Sequence, residues 1–303
     1  MFDSLIERLK GGSYLTLETT PPKEPNIQNI ISKIQNLGLD KKVDGFSATD
    51  NPLAKLKYSG LFAALKLQQT FGKPAIATMA MRDKNKIALQ SDLLGANDFD
   101  VRAVLALTGD PANMSDQPNA KGVFEGNSLM LLDIIKSFNQ GFDFSGRPFK
   151  TKPKPILPFS VSSSYVKNFA HLQKKLHNKI QHGAVGIITQ PVYDIENAKI
   201  LIDLFYQTTK DFDDERRDAQ LIFGLFPITR LRTAQFLSAH VPGIFVPQKW
   251  VDELTLAAKI GEEEEHKVGM RLSRGIYNEL VKLHPKVHLM TANKFEIAAE
   301  IID

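Results

Sequence analysis

Tyr14-Leu15-Thr16-Leu17-Glu18-Thr19-Thr20-Pro21-Pro22-Lys23 decides the fold. The run Tyr14–Leu17 is near-continuously apolar, as in a strand buried on both faces. Two successive prolines then end it, because proline has no N–H to donate and a fixed φ. Glu18 therefore closes a buried strand and stands at its C-terminal lip, where a charge must be partnered, solvated or used. Working outward, runs of the same kind recur at 43–48, 74–79, 101–107, 155–161, 185–189, 221–225 and 287–290. Helical periodicity separates them at 26–37, 53–70, 84–96, 127–139, 168–182, 195–209 and 230–239, and closes the chain at 293–302. Eight strand–helix pairs of the α/β type predict a parallel (β/α)8 TIM barrel, taken as a single domain over residues 1–303. Two places break the rhythm. Residues 111–126 form a long polar loop after strand four, of the kind that is functional or disordered. Residues 243–284 predict extra helices before the last strand, with Glu262 to Glu265 as a solvated first helical turn rather than a metal site.

Composition narrows the chemistry. The chain has 303 residues, 43% of them hydrophobic, and no cysteine. Disulfides, thiolate nucleophiles, thiolate metal sites and a self-contained iron–sulfur cluster are excluded. The net charge of +4 is small, and the basic residues are not interleaved with aromatics, so no nucleic-acid partner is expected. Two basic clusters, Arg147 to Lys154 and Lys174-Lys175 with Lys179, suit an anionic small ligand or a solvated surface. No apolar stretch reaches the roughly 20 residues of a membrane span. Met1 to Arg8 reads as an amphipathic helix rather than a signal peptide, so a cytoplasmic protein is expected.

In a barrel of this type, chemistry gathers where the strands end. Strand one ends at Glu18; strand two runs into Thr49-Asp50-Asn51. Strand three carries Thr78 and ends in Arg82-Asp83, and strand four ends Thr108-Gly109-Asp110-Pro111. Strand six ends Thr189-Gln190-Pro191, and strand seven Leu225-Phe226-Pro227. Five strands sending carboxylates, amides and hydroxyls to one mouth exceed what helix capping needs, although Asp50, Asp83 and Asp194 also suit N-caps. Gly109 frees the backbone beside Asp110 for a close approach. Gln190 offers both a donor and an acceptor, as an amide-bearing heterocycle requires. Phosphate-loop, dinucleotide and helical zinc motifs are absent from the sequence.

Taken in order, Glu18-Thr19-Thr20-Pro21-Pro22-Lys23, Thr108-Gly109-Asp110, Lys179-Ile180-Gln181-His182-Gly183-Ala184 and Ile188-Thr189-Gln190 resemble the methylenetetrahydrofolate reductase family. The likeness extends to Gly224-Leu225-Phe226-Pro227-Ile228 and to Val241–Pro247. Thr49-Asp50-Asn51-Pro52, the segment Arg82 to Ala96 and Lys121-Gly122-Val123-Phe124 resemble the short branch found in acetogens and related bacteria.

That resemblance implies a barrel holding FAD at its C-terminal rim. NADH or NADPH would be the electron donor, and methylenetetrahydrofolate would be reduced to methyltetrahydrofolate. It makes Glu18 the acid that protonates folate N10, and Asp110 the carboxylate near both flavin and pterin. It makes Gln190 and Phe226 substrate contacts, Thr49 a flavin contact, and Lys179 a neighbour of the FAD phosphates. Where the better-known branch has Phe before the Glu, Arg before Gly-Asp and His on strand three, this chain has Leu17, Thr108 and Thr78. Thr78, Thr108 and Gly109 thereby occupy flavin-contact positions. The resemblance also admits a homo-oligomer, a flavin-free or partner-fed enzyme with an electron-delivering subunit, and a non-catalytic folate-binding subunit.

Overall fold

In a computed structural model describing residues 1–241 and 243–303, eight parallel strands close into a barrel in sequence order. Pro242, within the Val241–Pro247 segment quoted above, lies outside the described residues. The strands are β1 (Tyr14–Thr19), β2 (Gly45–Ala48), β3 (Ala75–Ala80), β4 (Ala103–Leu107), β5 (Leu157–Ser162), β6 (Gly186–Pro191), β7 (Gln220–Leu225) and β8 (Lys286–Leu289). The helices are α1 (Phe2–Gly11), α2 (Gln28–Asn36), α3 (Leu39–Lys42), α4 (Gly60–Phe71), α5 (Lys86–Asp98), α6 (Ser128–Gln140), α7 (Phe169–Gln181), α8 (Ile195–Thr209), α9 (Leu231–His240), α10 (Gln248–Ile260), α11 (Glu262–Leu283) and α12 (Phe295–Ile302). The fold is the expected (β/α)8 barrel, and α10 and α11 are the extra helices before the last strand.

Side chains alternate across each strand, and the two faces bury two different cores. Leu17, Phe46, Ala77, Met79, Val104, Ala106, Ile187, Phe223, Leu225 and Leu289 face out and pack under the helices. Tyr14, Ile76, Ala103, Leu105, Leu157, Phe159, Ile188 and Ile222 face in, and Phe2, Leu5 and Leu9 of α1 join them. These three residues, at helical spacing on one stripe of α1, floor the barrel at its N-terminal end. By the same alternation Thr16 and Glu18 follow Tyr14 into the interior, one above the other.

Two expectations fail for identifiable reasons. The helix expected from residue 53 begins only at Gly60, after a single 3-10 turn at Pro52–Ala54. Asn51, Leu53 and Ala54 adopt left-handed φ of 42°, 57° and 56°, which cannot propagate a right-handed helix. Nearby backbone donors go elsewhere: Leu53 N–H donates to Asp110 Oδ2 (2.6 Å), Lys57 N–H to Asn51 Oδ1 (2.8 Å) and Tyr58 N–H to Pro22 O (2.7 Å). The second failure concerns Glu262 to Glu265. Glu265 is buried, accepting from Leu231 N–H at 2.7 Å and Arg230 Nη1 at 2.8 Å, so it anchors the start of α9 instead of lying in solvent.

Candidate active site

Glu18 lies on β1 in register with Ser47 of β2, its side chain 22% exposed. Its position is fixed from both sides. The β1 chain just beyond it is clasped by Asn293, whose amide accepts from Thr20 N–H (2.9 Å) and donates to Thr20 O (2.6 Å). Against the carboxylate stands His288 of β8, with Nε2 3.6 Å from Glu18 Oε2 and Nδ1 2.8 Å from Thr16 Oγ1. The sequence reading missed His288, which with Lys286 is one of two polar residues in β8. Its parity is the signal that would have found it, since Val287 and Leu289 pack outward and His288 must then face in.

Asp110 sits beyond the end of β4 and accepts from Leu53 N–H at 2.6 Å. This contact ties the β4–α6 loop to the left-handed turn after β2. The rest of the long loop, expected to be functional or disordered, is pinned in the same manner. Asp116 accepts from Leu56 N–H and pairs with Lys23, each at 3.1 Å, Val123 N–H donates to Arg82 O at 2.6 Å, and Lys86 N–H donates to Glu125 Oε2 at 2.7 Å. Hydrogen bonds from Gln117, from the Leu56 N–H and from Lys23 hold the Asp116 carboxyl below the usual range.

Arg82, 2% exposed, occupies the close approach expected at Gly109. A Cβ at Gly109 would come within 2.7 Å of Arg82 Cβ, and its φ of +94° disfavours any side chain. The guanidinium grips Asp83 through Nε (2.7 Å) and Nη2 (2.5 Å) and donates to Asn51 O (3.1 Å). Asp83 is therefore an ion-pair partner, and Asn85 supplies the N-cap of α5 by accepting from Ala88 N–H. The Arg82 hydrogen bond lowers the Asp83 pKa, and Asp83 raises that of Arg82. Asp50 behaves oppositely. Burial raises its pKa, Lys84 and Arg82 pull it down, and neighbouring Asp83 pushes it further up.

Of the other expected contacts, Thr49 Oγ1 is buried without a hydrogen-bond partner among the described residues, as is Ser47 Oγ below it. Thr78 is buried with the same parity as inward-facing Ile76. Thr108 Oγ1 accepts from Ser128 N–H at 3.1 Å and so positions the first turn of α6. Phe226 is half-buried beyond β7, its carbonyl accepting from Tyr193 Oη at 2.7 Å.

Gln190, next to last in β6, lies against Gly243, where a Cβ would stand 2.7 Å from Gln190 Oε1 and 2.6 Å from Ser163 Oγ. Gly243 O accepts from Ser164 N–H and Tyr165 N–H, both at 2.9 Å, and Tyr165 stacks on Phe245 at 4.9 Å. The segment after α9 thus straps the ends of β5 and β6. Lys179 projects from α7 toward β5. Its ammonium donates to Val161 O between α7 and β5, and burial, with Lys175 nearby, lowers its pKa to about 8.

Comparison with known proteins agrees with this architecture. The family model for methylenetetrahydrofolate reductase matches residues 2–303. A protein from Schizosaccharomyces pombe named methylenetetrahydrofolate reductase 2 is 23% identical over 281 residues. That alignment takes in 88% of this chain and 41% of the relative, so the chain spans well under half of the yeast protein's length. Among solved structures, a Clostridium thermocellum protein that binds two copies of 5-methyl-5,6,7,8-tetrahydrofolic acid superposes with a TM-score of 0.62 at 18% identity, covering 99% of this chain and 96% of that one. DmoA from Hyphomicrobium sulfonivorans superposes with a TM-score of 0.57 at 8% identity, covering 96% of this chain and 86% of its own. At these identities the superpositions speak for the barrel alone. The family match runs nearly end to end, and the chain belongs to the methylenetetrahydrofolate reductase family.

Proposed function

We propose that this protein reduces 5,10-methylenetetrahydrofolate to 5-methyltetrahydrofolate, with Glu18 as the general acid. The observation that carries the reading is a half-buried carboxyl inside the barrel, in the upper layer of a wall that also holds Thr16, Ser47 and His288. Glu18 gives its proton to folate N10 as the bond from N10 to the bridging methylene breaks, and that electron pair stays on nitrogen. The methylene is then an iminium on N5, and one hydride makes it a methyl group. Glu18 is left as a carboxylate and regains a proton from solvent, so each turnover consumes one proton and the hydride of one reduced nicotinamide. Asp110 keeps a negative charge near the iminium and favours it electrostatically. Gln190 and Phe226 orient the pterin, by an amide's paired donor and acceptor and by an aromatic face.

The mouth also suits FAD. Thr49 Oγ1 is a buried hydroxyl with no partner among the described residues, an arrangement a bound polar heterocycle stabilises. Thr49, Thr78 and Thr108, with the backbone at Gly109, would hold the flavin, which when bound supplies the hydride. Lys179 is the residue assigned to the FAD phosphates by family likeness, and to serve them its ammonium must leave Val161 O.

Glu18→Gln is the test. Its nicotinamide oxidation with a quinone acceptor is expected to match the unmodified chain, while folate reduction falls by about 10²- to 10⁴-fold, the range of a general acid. Folate reduction at the normal rate would remove Glu18 from the reaction. An absorption spectrum of the purified chain decides whether flavin accompanies it.

A further inference from the structure

We infer that His288 is a positioning residue for Glu18, held as the neutral tautomer whose Nε2–H faces the carboxyl. The inference rests on the reading of Glu18 as the acid. Thr16 and His288 are register partners across the β1–β8 pairing, and both are buried, His288 with 2% of its side chain exposed. Among the described residues, the Thr16 hydroxyl has a single hydrogen bond, to His288 Nδ1 at 2.8 Å. A buried hydroxyl proton without an acceptor costs more than an unfilled lone pair, so Thr16 donates and Nδ1 accepts. The ring proton then belongs on Nε2, the nitrogen 3.6 Å from Glu18 Oε2. That separation exceeds a hydrogen bond, and a small rotation of the Glu18 side chain closes it. The β7 residue in register with His288 is Gly224, and Glu18 is the carboxylate within 4.0 Å of the ring among the described residues.

The consequence for catalysis is specific. Nε2–H occupies one carboxyl oxygen, which leaves the acidic proton on the other, turned toward the substrate. Once that proton has left, the same N–H donates to the new carboxylate and stabilises it, a charge-assisted bond made stronger in the product of the transfer than in the reactant.

Four variants and one spectrum test this. His288→Leu removes the donor. It is expected to lower kcat for folate reduction by about 10- to 100-fold, within the range of acid catalysis, with KM changed less than about twofold. Nicotinamide oxidation with a quinone acceptor should be unchanged, which also reports that the variant folds. His288→Gln restores an N–H at similar reach and should recover most of the loss; a purely structural role would leave Gln no better than Leu. Thr16→Val keeps the shape and removes the hydroxyl donor, and should lower kcat by a smaller factor. In ¹⁵N NMR of histidine-labelled protein, His288 should show a lone-pair Nδ1 and a protonated Nε2, and Thr16→Val should mix the two tautomers. A wild-type spectrum with the proton on Nδ1 overturns the inference. So does full folate reduction by His288→Leu while Glu18→Gln has lost it. Full folate reduction by Glu18→Gln would instead overturn the reading of the acid, and this inference with it, whatever the His288 variants do.

Discussion

The inner wall of the barrel has two unlike arcs. Along β8, β1, β2 and β3 it carries, above Tyr14 and Ile76 at its base, His288, Thr16, Glu18, Ser47 and Thr78, with Thr49 just beyond β2. Along β4 to β7 it carries Leu105, Leu157, Phe159, Ile188 and Ile222. Polarity enters the second arc near its lip, at Gln190 and, beyond β4, at Asp110, and beside Gln190 the Gly243 strap holds the chain. The first arc keeps hydroxyls without partners among the described residues and a carboxyl in reach of water, arrangements that weaken a core and suit a ligand. The second is close-packed and gives the first a fixed wall to work against. Stability and the proposed reactivity are thus divided between halves of one structure, and broken packing rules of this kind are what a functional site leaves in a fold.

The comparison can be broken most forcefully on the apolar side. Phe159→Ala empties the middle of that arc and is expected to cost about 3–5 kcal/mol in urea unfolding, while any variant that folds keeps its half-reaction with nicotinamide. A loss below about 1 kcal/mol would mean the arc is not the rigid half. Asp110→Asn, at the mouth, preserves an oxygen for Leu53 N–H and removes the charge. Folate turnover should fall about 10- to 100-fold with little change in stability, and an equal loss of both would assign Asp110 to loop anchoring.

Lys179→Met probes the polar group hidden behind the apolar arc. Folded Lys179 releases its proton near pH 8, whereas an unfolded chain holds it to the ordinary value of 10.5, so the unfolded state binds more protons between the two. Stability should therefore rise with pH across that window, with the burial penalty fully present below it. Chemical unfolding of Lys179→Met from pH 7 to 10.5 should lose this rise, and an unchanged slope would place its origin elsewhere. The smallest effect belongs to Ser47→Ala. Removing a buried hydroxyl that has no partner among the described residues should leave stability within about 0.5 kcal/mol or raise it slightly, and a loss above about 1 kcal/mol would indicate a bonded group in contact with it.

Much of the fold was legible because each strand buried on both faces leaves a continuous apolar run. All eight runs lie within two residues of the observed strands. Glu18 and Asp110 stood out as candidates for the opposite reason, since each is a carboxylate at the end of such a run, with Pro21 three residues after Glu18 and Pro111 directly after Asp110. What stayed hidden depends on contacts between distant segments. His288 gains meaning from Thr16, 272 residues away. Arg82 stands in the sequence as one more polar residue at the end of strand three until Asp83, Asn51 O and Gly109 enclose it. The delayed start of α4 was unreadable because local helix propensity over 53–59 lost to hydrogen bonds that its N–H groups donate to Asp110 and to the Pro22 carbonyl, acceptors supplied by other loops.

The β1–β8 pairing, where Thr16 meets His288, is also the seam at which the ring closes. On a ribosome the first of these strands emerges long before the last, and the intervening βα units can begin to pack without it. The histidine reaches Glu18 only when the final strand docks, so the proposed acid lacks its partner in every partly synthesised chain. On the proposed reading, activity arrives with closure rather than gradually, and a nascent or truncated copy without β8 would carry Glu18 without the histidine that positions it.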